Sequence, residues 1–295
     1  MKCGFVSIVG RPNVGKSTLL NTLIGEKLAI TSNVSGTTRN IINGIYNDED
    51  SQIIFIDTPG VHKARNKLEQ VLNKKSFNNY EGVDLILFMV DASTGFGSGD
   101  EFILNKIKDN DIPIFLILNK VDLIKDKTKV LKQIDLVKEK YSFAEIIPLS
   151  ALKNSYELID TIKKYLPVGN KVYEDDDFTS VSTKFIVSEF VREKLLMLTH
   201  DEIPHTISCY TEEFIDNGKS VDIKVLIVVD RDNVKKIVIG KNGSMLKEVG
   251  ILARKDIEKL LGKKVYLETY VKTLKNWRDE VKYFSELGLD EENWK

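Results

Sequence analysis

The stretch Gly10–Thr18, reading GRPNVGKST, constrains this chain more than any other. It follows the apolar run Phe5-Val6-Ser7-Ile8-Val9 and precedes Leu19-Leu20-Asn21-Thr22-Leu23-Ile24, whose leucines are spaced as on a helix. Strand, glycine loop and helix in that order turn a G-x-x-x-x-G-K-[ST] match into a phosphate-binding loop. Gly10 and Gly15 let the backbone curl so that successive N–H groups point inward at a helix N-terminus, an anion nest. Across Arg11, Pro12, Asn13, Val14 and Thr18 the loop presents backbone to the ligand. Lys16 reaches the outer phosphates and the Ser17 hydroxyl is placed to ligate Mg²⁺.

The residues that follow fit the same ligand. Leu28 to Asn40 is rich in Ser, Thr and Gly and lacks helical periodicity. It contains Gly36-Thr37-Thr38-Arg39, where a threonine hydroxyl can complete a Mg²⁺ shell. Segments 41–46 and 52–56 alternate as a β-hairpin does and run into Asp57-Thr58-Pro59-Gly60. A carboxylate at a strand end beside a phosphate loop can hold Mg²⁺ through water. Gly60 leaves room for its N–H to approach a γ-phosphate.

Apolar and amphipathic segments then alternate: strand 83–90, helix 99–108, strand 112–118, helix 127–140, strand 146–149 and helix 156–165. The order predicts an α/β domain with a mostly parallel, doubly wound sheet whose ligands sit at the C-terminal strand ends. At one such end lies Asn119-Lys120-Val121-Asp122. The Asp122 carboxylate can accept two hydrogen bonds from guanine N1–H and its exocyclic amine, which adenine lacks. A site built on such bonds rejects the wrong base by about 10⁴-fold or more. Asn119 would brace the loop and the Lys120 stem would cover one face of the base. Ser150-Ala151-Leu152 follows the last strand, where a backbone N–H can meet guanine O6. In Ras-type GTPases a glutamine after the DxxG glycine orients the attacking water. Val61 stands there, so slow intrinsic turnover is expected. Asn13 offers a side-chain oxygen to K⁺, which would take over part of an arginine finger's role. Asn13, Lys16, Thr38 and Gly60 are the expected catalytic set.

At 295 residues the chain has room for two cores. Residues 1–167 are assigned to the first domain, 168–182, with their Pro, Gly and acidic run, to a linker, and 183–295 to a second domain. The net charge of −1 conceals a basic excess beyond Arg231, the mark of a polyanion partner. The second domain reads as helix 184–198, strands 205–214 and 220–229 around the Asn217-Gly218 turn, helical segments 233–262, strand 264–271 and a terminal helix from Lys275. Ile239-Gly240-Lys241-Asn242-Gly243-Ser244 is a GxxG turn between helices, with Lys247 one turn on. Such a turn lets a nucleic-acid backbone approach while the apolar rim packs against bases, as in a KH module. Single-stranded RNA is its natural ligand.

No apolar run reaches the ~20 residues of a membrane span. Cys3 and Cys209 match no metal or disulfide spacing, and His62, His200 and His205 form no ligand cluster. A reducing cytoplasm fits.

Taken together, GRPNVGKS, GTTR, DTPGV, NKVD and SAL in order, then VIGKNG and Val271-Lys272-Thr273-Leu274-Lys275-Asn276-Trp277-Arg278, resemble the Era family of bacterial GTPases. The resemblance spans essentially the whole chain. It implies a Ras-like GTPase domain and a type II KH domain, Mg²⁺ held by Ser17, Thr38 and Asp57, and Thr38 rather than Thr37 in the metal shell. It further implies binding of the 3′ end of 16S rRNA, assistance to 30S subunit maturation, peripheral association with the inner membrane and a monomer. A GTPase of the large ribosomal subunit and a constitutive RNA chaperone with structural GTP are the rival readings.

Overall fold

The computed structural model describes residues 1–295 except 33, 35, 62, 63, 65, 79–81, 154, 155, 201, 202, 288 and 290–295, and the side chains of 75, 77, 78, 156, 285 and 286. His62 and two positions of the Leu28–Asn40 loop thus lie outside the described residues. The chain forms two compact units, one of residues 1–64 and 70–180, the other of 65–69 and 181–295.

The first unit runs β1 (Lys2–Gly10), α1 (Lys16–Ile24), β2 (Ile42–Asn47), β3 (Ser51–Asp57), α2 (Lys67–Asn78, of which 67–69 are grouped with the second unit), β4 (Leu85–Asp91), α3 (Ser98–Ile107), β5 (Ile114–Asn119), α4 (Thr128–Lys138), β6 (Glu145–Pro148) and α5 (Tyr156–Lys163). Its strands form one sheet, ordered β2-β3-β1-β4-β5-β6, with only β2 antiparallel to its neighbour. The α/β reading holds. Strands β4 and β5 are buried throughout, which is why they appear in the sequence as unbroken apolar runs. Phe88 anchors this core edge-on to Phe96 and stacked on Phe143, each at 6.4 Å between centroids.

Strand order reverses around β1, which lies between β3 and β4, and ligands of open α/β sheets bind at such a switch point. The register pairs Ile8 with Asp57, Gly10 with Met89 and Asp91 with Asn119. Gly10, Asp57, Asp91 and Asn119 therefore stand together at the C-terminal edge.

Helix α2 has no counterpart in the sequence reading. Among its described side chains Leu72 and Ser76 are buried one turn apart. The Ser76 Oγ donates to Pro59 O at 2.8 Å.

Residues 168–180, assigned to the linker from sequence, are hydrogen-bonded to the first unit. Val168 bridges Lys2 and Thr179 bridges Gly44, both antiparallel. Ile45 N–H donates to Phe178 O at 3.0 Å, and Asn47 Nδ2 donates to the Asp175 and Asp177 carbonyls. Between these points the fully buried Gln52 accepts from Val172 N and Tyr173 N and donates to Tyr173 O, all within 3.0 Å. The segment is a strap along the outer edge of β2.

The second unit runs α6 (Thr183–Leu198), β7 (Ile207–Asp216), β8 (Ser220–Val229), α7 (Asp232–Ile239), α8 (Ser244–Leu261), β9 (Lys264–Thr273) and α9 (Lys282–Glu286). Its sheet is β7-β8-β9, the first pair antiparallel and the second parallel. The expected terminal helix from Lys275 is replaced by a 3-10 turn, Trp277–Asp279, and the short α9. Asn276 adopts a left-handed φ of 54°, which breaks the helix, while the fully buried Trp277 donates Nε1–H to Thr206 O at 2.9 Å. Satisfying the indole takes precedence over continuing the helix.

Gln52→Ala leaves two N–H groups and a carbonyl of the strap without their partner. It is expected to destabilise the first unit by about 1–3 kcal/mol, and hydrogen exchange at Val172 and Tyr173 should accelerate with it. Unchanged exchange there would show that the strap is held without Gln52.

Candidate functional site

At the C-terminal edge of the first sheet, β1 ends in the glycine loop, whose turn needs backbone conformations that side chains resist. Asn13 lies at φ 62° and Gly15 at φ 103°. A Cβ on Gly15 would sit 2.2 Å from Asn119 Nδ2, so only glycine fits. Asn119, itself buried, donates from Nδ2 to Val14 O at 2.7 Å and accepts at Oδ1 from Ala151 N at 2.8 Å. One amide thus joins the glycine loop, the strand end of β5 and the Ser150-Ala151-Leu152 loop.

Lys16 is buried and donates to Gly10 O at 3.1 Å and Arg11 O at 3.0 Å. Ser17 Oγ donates to Asp57 Oδ2 at 2.7 Å and lies 2.9 Å from Thr38 Oγ1. Thr37 turns elsewhere, to Val34 O and Ser32 Oγ. The three oxygens expected around Mg²⁺ converge, and the second Asp57 oxygen, Oδ1, is buried with no hydrogen-bond partner. A buried acceptor of this kind, beside two hydroxyls, fits a hydrated divalent cation. Burial pushes Asp57 up to about 6, against the opposing pull of Lys16 and Ser17. Burial also draws Lys16 down to about 8, partly offset by Asp57.

Thr58 donates to Ile8 O at 2.9 Å, tying the Asp57–Gly60 segment to β1, and Pro59 O accepts from Ser76. Gly60 lies against Pro12: an added Cβ would come within 2.7 Å of the proline nitrogen. Val61 is buried in the apolar cluster with Val9, Phe88 and Leu116. The position after Gly60 therefore brings no polar side chain to an attacking water.

The guanine-side residues are placed more loosely. Asp122 is exposed on the 3-10 turn Val121–Leu123, and Leu152 is also exposed. Of the backbone N–H groups of Ser150-Ala151-Leu152, one of which is expected to meet guanine O6, that of Ala151 already serves Asn119. Lys120, at φ 64°, donates to Asn13 O at 2.6 Å and to Asp91 Oδ2 at 2.7 Å. The Arg11 side chain turns to the buried Asp100 of α3, at 2.8 Å, so its part in a ligand site is that of its backbone. Asp91 and Asp100 were missed in the sequence. Asp91 ends an unbroken apolar strand, a position where the C-terminal-edge rule directs attention.

In the second unit α7 ends at Gly240 (φ 75°), followed by a tight turn with Asn242 at φ 52° and Gly243 at φ 78° before α8. A Cβ on Gly240 would press to 2.7 Å from Met245 Cβ, so this glycine holds the turn closed. Beside it opens a groove of about 320 Å³ between α8 and β9, lined by Gly243, Leu246, Lys247, Gly250, Ile251, Arg254, Leu267 and Thr269. Of the expected RNA contacts, Gly243 and Lys247 line it; Ile239, Gly240, Lys241, Asn242 and Ser244 form the turn at its end. The lining of α8 was legible as a stripe at i, i+3 and i+4 from Gly243 to Arg254, with the small Gly250 at its centre. Two cations, an apolar floor and no carboxylate among the lining residues suit a single strand, with bases on the floor and phosphates at the rim.

Ionising Asp57 in the ligand-free fold is costly, and the sign follows from its raised value. What the carboxyl contributes to stability is present below its unfolded range near 4 and is lost as pH rises through about 6. Asp57→Asn is therefore expected to unfold no earlier than wild type at pH 7.5 in EDTA by calorimetry, and to lose Mg²⁺-dependent nucleotide binding. A less stable ligand-free variant would contradict this.

The comparisons with known proteins agree with this geometry. The model of a family described as 50S ribosome-binding GTPase matches residues 5–120, and that of the KH domain matches residues 202–278. The structure of Era in complex with MgGDPNP and nucleotides 1506–1542 of 16S ribosomal RNA is 42% identical, covering 98% of this chain and 99% of that one, with a TM-score of 0.94. A variant of Aquifex aeolicus Era bound to GDP·AlF4⁻ is 41% identical over the same shares, with a TM-score of 0.95. With a likeness of this extent over both units, the chain belongs to the Era family of GTPases.

Proposed function

We propose that this protein is a GTP-hydrolysing switch that binds the 3′ end of 16S rRNA through the groove of its second unit and assists 30S subunit maturation. The observation that carries the nucleotide half is the convergence of Lys16, Ser17, Thr38 and Asp57, with a buried carboxylate oxygen left without a partner. Near-complete likeness to a protein crystallised with a 16S rRNA fragment supports the RNA half, and favours the small subunit over the large-subunit reading.

In this reading the glycine-loop amides and Lys16 hold the β- and γ-phosphates of GTP. Ser17 and Thr38 hold Mg²⁺ directly, and Asp57 does so through water. When bound, the metal neutralises charge that develops on the transferring phosphoryl group. Thr58, Pro59 and Gly60 carry the γ-phosphate-sensing backbone, and Asp122 reads guanine. With Val61 in the core, nothing at that position orients water, so turnover is slow until another group supplies the function. We assign part of the arginine-finger role to K⁺ held with the help of Asn13. Equal hydrolysis rates in K⁺ and Na⁺ buffers would refute that assignment.

The same reading places the protein in the cytoplasm as a monomer, with peripheral association with the inner membrane; family resemblance carries these three statements. Among the described residues no helix is long and apolar enough to cross a membrane.

Gly250→Leu separates the RNA site from the fold. Nothing lies within 4 Å of a Cβ there, so a side chain can leave the helix at this position, and leucine removes a helix-interior glycine while occupying the groove. RNA affinity for a single-stranded copy of the 16S 3′ end should fall at least tenfold, with thermal stability equal or higher. Lys247→Ala should weaken binding and flatten its salt dependence by about one phosphate contact. In wild type, affinity should be greater with a GTP analogue than with GDP. Equal affinity in the two states would leave no switch, and the constitutive chaperone would replace it.

A further inference from the structure

Asp91 lies outside every motif that the nucleotide reading uses, yet its carboxylate is committed at both oxygens. Oδ1 accepts from Ser93 N at 2.9 Å and from Ser93 Oγ at 2.5 Å, and Oδ2 accepts from Lys120 Nζ at 2.7 Å. Its carbonyl accepts from Thr94 N and Gly95 N, closing a tight turn after β4. Across the sheet Asp91 pairs with Asn119, and Ala92 N donates to Asn119 O at 2.9 Å. Asp91 is therefore fixed by the strand, by its own turn and by the neighbouring strand end.

Lys120 depends on that fixity. Its backbone is held at φ 64°, a conformation that non-glycine residues keep only where surrounding bonds impose it. Its ammonium is tied at two points only among its described bonds: Asn13 O in the glycine loop, and Asp91. The side chain as a whole is 30% exposed, against 12% for Asp91. The stem between must lie along the gap between the two loops, the position from which it covers a base. With the carboxylate removed, one hydrogen bond to a loop carbonyl remains to resist the freedom of a four-carbon side chain. Burial draws Asp91 upward, but hydrogen bonds from Lys120 and Ser93 outweigh it and hold the carboxyl below its ordinary value.

We propose that Asp91 is a positioning residue of the guanine site: it holds the Lys120 side chain taut across the base pocket and thereby sets the residence time of the nucleotide. The inference rests on the GTP reading and adds to it a residue that touches no ligand. The Asp91 side chain acts on binding rather than on the phosphoryl step, because it reaches the glycine loop through Lys120, which donates to the Asn13 backbone carbonyl.

The test uses the full chain with Mg²⁺ and a fluorescent GDP, in wild type, Asp91→Ala, Asp91→Asn, Lys120→Met and the Asp91→Ala/Lys120→Met double variant. Asp91→Ala is expected to speed GDP release about tenfold and raise KM for GTP to match, with kcat at saturation changed less than twofold. Asp91→Asn, which retains an acceptor but not the charge, should fall between and guards against a folding defect in the alanine variant. The double variant should release GDP no faster than Lys120→Met alone, since the two residues act as one unit. Unchanged release in both Asp91 variants, additive effects in the double variant, or a fall in kcat with constant KM would each overturn the proposal. Failure of wild type to bind GDP would overturn the GTP reading itself, and the proposal with it.

Discussion

The side-chain amide of Asn119 is the interaction on which the nucleotide site depends. It holds Val14 of the glycine loop with its nitrogen and Ala151 of the last loop with its oxygen, and it is buried where water cannot replace either partner. The glycine loop has little regular structure of its own and contains two left-handed residues. It keeps its shape because a rigid strand end holds it from the side. Gly15 makes the approach possible: a methyl group there would collide with the amide that does the bracing. Two residues a hundred positions apart are thus one device, and the sheet register brings them together.

A carboxyl whose ionisation is resisted and an ammonium whose protonation is resisted lie in one buried corner, with an acceptor oxygen left over. Each shift is a stability cost that a metal and phosphates relieve, since both ligands supply the opposite charge. Pre-arranged donors of this kind do not need to reorganise when charge moves during phosphoryl transfer. The second unit follows a different logic. Its groove is open, with an apolar floor and cations only at the rim, and suits a partner held by stacking and phosphate contacts rather than by a cage.

Much of this was legible in the sequence, for reasons that differ by element. The buried strands were readable because both faces are covered, and the phosphate and guanine motifs because each follows a strand. The strand–helix order then fixed the edge on which they meet. What escaped was hidden by the same physics. Helix α2 is rich in polar residues, and one of its buried positions is a serine, so its periodicity is faint. The stretch after Lys275 has helical composition, but the Trp277 indole requires the Thr206 carbonyl, a contact that no local pattern reveals. Asp91 belongs to no motif, and the lysine it holds lies 29 positions away. The lining of the groove beyond Lys247 is a stripe on α8 that carries no motif of its own, and only the packing of β9 against it makes a groove.

The strap along β2 bears on where the protein can be divided. A sheet edge with exposed N–H and C=O groups is a template for pairing with another chain. Here Ile45 and Gly44 meet Phe178 and Thr179 instead. A fragment ending at Pro167, where the last helix is complete, would uncover that edge and strip the buried Gln52 amide of its three bonds to Val172 and Tyr173. One ending at Ser180 retains both. The natural border of the nucleotide-binding half thus lies past its last regular element, and residues that look like a tether serve as the seal of the sheet.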